Sequence, residues 1–187
     1  MVSTGQGRRR IRPTVAAMLG MVLVSASVAA LEDRGRAAFV EAHRCAVVER
    51  LSSIHLLGPR STSRERFLAV SLAQTDDHYV QCIFFDDDRK MYCEASSGAY
   101  ARGAEMPGPL LPEPARAALY RLGFVEVNRN ENYQREIELG TPPDFDAVAD
   151  LMIGALYDAY RARETTPLKF NAPRAILSRN ACPGPVS

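Results

Sequence analysis

Three runs of β-forming residues joined by short polar turns constrain this chain more than any other feature. They are "RFLAVSLAQ", "YVQCIFF" and "KMYCEAS", within residues 66–96. In the second run Val80, Cys82 and Phe84 alternate with Tyr79, Gln81 and Ile83, the period of a strand with two unlike faces. "TDDH" and "DDDR" supply turn chemistry, so the three runs read as an antiparallel meander. A turn centred between Asp87 and Asp88 sets Phe84 against Met91, Ile83 against Tyr92 and Cys82 against Cys93. Opposed Cβ atoms lie about 4.5–5.5 Å apart and a disulfide needs about 3.5–4.5 Å, so Cys82 and Cys93 are a candidate bridge. A four-residue loop over Asp86 to Arg89 makes them a non-hydrogen-bonded pair, which suits a bridge. A two-residue loop makes them a hydrogen-bonded pair, which suits it less. Both loops stay open.

Helical periodicity flanks the meander. Val40, Val47, Leu51 and Ile54 share a face between Arg36 and His55, with Arg44 as the exception. Ala115, Ala118, Leu119 and Leu122 do so in "EPARAALYRL", which Gly123 stops. "FVEV" and "YQREIEL" read as two more strands around the Asn-rich "NRNEN". In "TPPDFDAVADLMIGALYDAYRA", Phe145, Val148, Ala149, Met152, Leu156, Ala159 and Tyr160 trace an apolar face, with Thr141 as the expected cap. The order α-β-β-β-α-β-β-α predicts an α+β fold, a mainly antiparallel five-stranded sheet packed with helices.

Three segments follow. Residues 1–30 carry Arg8, Arg9, Arg10 and Arg12 before an apolar run closed by small residues, the layout of a signal peptide cut near Ala30 or of an uncleaved anchor. Residues 31–163 form the domain. Residues 164–187 form a Pro-rich C-terminal tail, partly packed through Leu168 and Phe170. The expectation is an exported protein of the periplasm, envelope or medium. It is cytoplasmic if residues 1–30 are a spurious extension, and it touches a membrane only through an uncleaved N-terminal segment. The formal charge is +1, but without the four N-terminal arginines 19 basic residues face 22 acidic ones, a net of −3. A body without basic excess gives nucleic-acid binding no electrostatic support.

Catalytic and metal patterns are missing. Asp86, Asp87 and Asp88 lack the alternation, the Gly and the closing Glu of a calcium loop, and read as a solvated turn. His43, His55 and His78 form no zinc spacing. Neither Cys45 nor Cys93 sits in a nucleophile motif. Glu136 and Glu138 share a strand face with Gln134, as a solvent face does. No catalytic residue, cofactor or metal is expected.

"YVQ", "CEASS", "LYRLGF" and "NENYQREIEL", followed by the closing amphipathic helix, resemble the type III secretion chaperone and YbjN-like superfamily over about Ala37 to Arg163. The resemblance implies a small, commonly dimeric α+β module that holds extended or partly folded polypeptide and has no catalytic centre. The leading expectation is therefore a non-enzymatic, chaperone-like protein- or peptide-binding domain with a polypeptide client. Tyr79, Ile83 and Tyr92 are its candidate peptide-binding residues, unless they simply cover core under a helix. Two alternatives are an exported envelope structural or interaction protein without an unfolded client, and a small hydrolase.

Overall fold

The computed structural model describes residues 19–58, 65–75, 77–99, 111–128 and 130–177 together with Cys182, with side chains from Leu31 onward. The chain divides into two units, Met1–Arg34 and Gly35–Ser187. Helix α1 is assigned over Leu19–Leu56, and every strand and the other two helices belong to the second unit.

The order is α1, β1 (Phe67–Leu72), β2 (Tyr79–Phe85), β3 (Lys90–Ala95), α2 (Glu113–Arg121), β4 (Val125–Glu126), β5 (Tyr133–Glu138), α3 (Phe145–Asp158) and β6 (Leu168–Asn171). All strands join one antiparallel sheet in the order β4-β5-β3-β2-β1-β6. The sheet has six strands, one more than the sequence suggested. The addition is β6, inside the stretch read as tail, where Leu168 pairs with Leu72 and Phe170 with Val70. Two apolar residues at i and i+2 are enough to seat an edge strand when β1 supplies the backbone partners.

Strand alternation decides the layers. Leu68, Val70, Leu72, Val80, Cys82, Phe84, Met91, Cys93 and Ala95 are buried on one face, in the same core as Val47, Leu51 and Ile54 of α1 and Leu119 of α2. Among the described residues the helices pack on this face alone. Helix α3 is the keystone: Leu151 to Leu156 are buried without interruption, as in a helix enclosed on every side. The odd residue on α1, Arg44, has a partner there, with Nη1 2.6 Å from Asp150 Oδ1. Arg36 makes a second tie, its Nε donating to Asp158 at 3.0 Å. Gly154 permits that approach, because a Cβ there would lie 2.5 Å from Arg36 Nη2.

The helix ends follow local chemistry, with one correction. Gly123 (φ +80°) closes α2: its N–H donates to Tyr120 O and that of Phe124 to Leu119 O, a Schellman stop. Helix α3 is capped by Asp144, whose Oδ1 accepts the Ala147 N–H at 2.9 Å, and not by Thr141. Pro143 disfavours helical geometry at Pro142, so the helix cannot begin until the prolines are past.

The β2–β3 hairpin has Cys82 opposite Cys93 and a four-residue loop, Asp86 to Arg89. The Ser96 N–H donates to Tyr79 O, which makes those two a hydrogen-bonded pair and, by alternation, makes Cys82 and Cys93 non-hydrogen-bonded. The two are bonded at a Cα separation of 4.0 Å. The turn itself corrects the sequence reading. Asp86 and Asp87 are exposed, but Asp88 is buried and holds the guanidinium of buried Arg66 through both carboxylate oxygens. Arg66 Nη2 also donates to Ile54 O at 3.2 Å, so one cation joins α1, the start of β1 and the turn.

An open face on the sheet

The face away from the helices carries the other half of every strand. Registers place its residues in rows across the sheet. Phe67 lies opposite Ile83, Ile83 opposite Tyr92, and Tyr92 opposite Glu136. One row along, Ala69, Gln81, Glu94, Gln134 and Val125 follow one another across five strands. On the other side Phe85 faces Lys90, which faces Glu138 at 2.7 Å. Phe67, Ile83, Phe85 and Tyr92 are each partly exposed, and no described helix covers them.

The three candidate binding residues separate in this frame. Ile83 and Tyr92 are brought together in the middle of the face. Tyr79 is at the end of β2, where its hydroxyl accepts from Asn132 Nδ2 at 2.7 Å. The same end holds the buried Tyr160, whose hydroxyl donates to Ser96 O at 2.6 Å. Burial, then the nearby Tyr79 and Tyr133 hydroxyls, push the Tyr160 phenol well above its ordinary pKa. Tyr79 thus belongs to a polar network that closes the end of the sheet. Phe67 and Phe85 were missed by the sequence reading. Phe85 is two residues from Ile83 and was legible by alternation, whereas Phe67 needed the β1–β2 register.

Carboxylates frame the apolar patch. Tyr92 is pushed up to about 12, first by desolvation and then by Glu94, Glu131 and Glu136 around it. The Tyr92 hydroxyl is 3.5 Å from Glu94 Oε1. The sheet edges offer less than the face. Edge strands β4 and β6 have only two and four residues, so each offers a short edge for strand addition.

The groups considered for chemistry are scattered. His43 packs edge-on to Phe39, His55 lies beside Phe84 and Phe145, and His78 stacks on Tyr160. Among the described residues no three His, Cys, Asp or Glu side chains cluster as a ligand set. All four cysteines are bonded, Cys45 to Cys182 and Cys82 to Cys93. The first bond, with two hydrogen bonds between Ser53 and Ile176, draws the C-terminal segment along α1. No described helix is long and apolar enough to cross a membrane.

Comparison with known proteins gives a family. No curated protein and no solved structure matches the chain. A family model described as "T3SS (YopN, CesT) and YbjN peptide-binding chaperone 3" matches residues 43–174, the greater part of the chain and every strand of the sheet. With helices on one face of an antiparallel sheet and an apolar patch on the other, the chain belongs to the TY-Chap3 family of peptide-binding chaperones.

Proposed function

We propose that this chain is an exported, non-enzymatic chaperone-like domain that holds an extended polypeptide segment against the open face of its sheet. The observation that carries the reading is the row Phe67, Ile83 and Tyr92, apolar side chains left partly exposed with no described helix over them. Burying such a side chain gains roughly 1.5–3 kcal/mol, so two or three anchors supply useful affinity for a segment of any sequence that presents apolar residues. The test is suppression of aggregation of a heat-denatured reporter enzyme. The wild-type protein suppresses it, and Ile83→Asp loses the effect while its circular dichroism stays unchanged. Equal suppression by the variant contradicts the assignment to this face.

Export rests on the basic and apolar N-terminal pattern and suits a protein with two disulfides, since such bonds persist in oxidising compartments. Intact-mass analysis of the native protein is expected to show removal near Ala30, and retention of residues 1–30 contradicts it. Self-association is part of the same reading. Tyr120 of α2 and Val125 and Val127 at the β4 edge are 47%, 55% and 62% exposed, a surface suited to a second copy.

A further inference from the structure

The open face is apolar in the middle and acidic along one side. Glu94, Glu136 and Glu138 project from β3 and β5 on the same face as Tyr92, and Glu131 lies close to the Tyr92 phenol. Lys90 shares their face, and Glu138 already engages it at 2.7 Å. Lys169 lies at the opposite edge, on β6. Among the described residues neither Glu94 nor Glu136 is held in an ion pair, and both present negative charge beside the apolar row.

Strand spacing sets a ruler across this surface. Neighbouring strands are about 4.8 Å apart, so the row Phe67, Ile83, Tyr92, Glu136 spans about 14 Å. An extended peptide rises about 3.3 Å per residue and returns to the same side every second residue. Apolar residues at i and i+2 then lie over Phe67, Ile83 and Tyr92, and the side chain at i+4, about 13 Å along, reaches Glu136 and Glu94.

Resting on the polypeptide-binding reading above, we propose that the preferred occupant is an extended segment with apolar residues at i and i+2 and an arginine or lysine at i+4. The carboxylates at Glu94 and Glu136 take the basic group, and the Phe67–Ile83–Tyr92 row takes the apolar ones. The same charges repel the other large occupants of an apolar surface, since anionic lipid and nucleic acid both bring negative groups against negative groups. An acidic segment is rejected for that reason.

The test uses the full chain and three short fluorescent peptides, identical except for arginine, glutamine or glutamate at i+4, followed by anisotropy at low and physiological salt. The arginine peptide is expected to bind about fivefold more tightly than the glutamine peptide at low salt, the scale of one or two exposed charge pairs, and the glutamate peptide more weakly than either. Added salt compresses the differences. The double variant Glu94→Gln, Glu136→Gln, at one partly exposed and one exposed position, abolishes the arginine preference. Equal affinity for all three peptides, or an arginine preference that survives in the double variant, overturns the inference while leaving polypeptide binding in place. Failure of all three to bind overturns the inference together with the reading beneath it.

Discussion

Replacing Asp88 with asparagine should be the most damaging single-atom-scale change in the domain. The Arg66 and Asp88 side chains are 3% and 5% exposed. Arg66 Nη2 is 2.7 Å from Asp88 Oδ2, and the guanidinium carbon is 5.4 Å from the centre of the Phe84 ring. Asparagine keeps the size of the side chain and tolerates the positive φ of 63° at this position, so backbone strain does not enter. What changes is charge, because the Arg66 cation stays in the interior without its counter-ion. Breaking a buried pair on one side costs about 3–5 kcal/mol. At about 2–4 °C per kcal/mol for a chain of this size, Tm should fall by roughly 6–20 °C. The second arm is Asp88→Asn with Arg66→Met, which removes both charges and should recover most of the loss. Urea unfolding followed by circular dichroism measures both. A loss under about 0.5 kcal/mol in the single variant, or a double variant no better than the single, refutes the reasoning.

The remaining predictions concern the cysteines, one histidine and self-association. Native protein should show no free thiol on labelling. By loop length, losing the Cys45–Cys182 bond (separation 137) should cost about 5 kcal/mol and losing Cys82–Cys93 (separation 11) about 3 kcal/mol, so equal losses count against the loop-entropy account. The His43 imidazole is held below 6.5 by burial, against a backbone hydrogen bond with Thr166 that raises it. Below 6.5 the unfolded chain therefore binds a proton that the folded chain refuses. Stability should fall as pH drops from about 6.5 through the folded pKa, and His43→Gln should flatten that slope. Val125→Glu with Val127→Glu should lower the light-scattering mass to that of one chain, and a wild-type protein already of that mass removes the proposed dimer.

Much of the fold was legible because alternation and helical period are strong where one face is buried. Val80, Cys82 and Phe84 against Tyr79, Gln81 and Ile83 gave the layers, and the Asp87–Asp88 centre gave the register of the hairpin. The apolar face from Phe145 to Tyr160 is buried throughout. Strand β6 was not legible, since its alternation runs over only four residues, Leu168 to Asn171, and its partner β1 is distant in sequence. The burial of Asp88 was hidden for a related reason. Nothing local distinguishes it from Asp86 and Asp87, and only the fold brings Arg66 beneath it. Arg44 looked out of place on α1 until Asp150 of α3 appeared across from it. The candidate site was half legible, as strand parity put Ile83 and Tyr92 on one face. The hydrogen bond from Asn132 that ties down Tyr79, and the rank of carboxylates beside Tyr92, needed the β3–β5 pairing.

The central claim is that polypeptide binds the open face, and isoleucine methyl NMR tests it most directly. Ile83 is on that face, Ile54 and Ile153 are buried among the helices, and Ile176 is 75% exposed beside α1. Titration with the arginine-bearing peptide should shift or broaden the Ile83 δ1 methyl in a saturable way, with Ile54, Ile153 and Ile176 unmoved. A saturable shift at Ile176 with Ile83 unmoved would place the polypeptide along α1 and contradict the account.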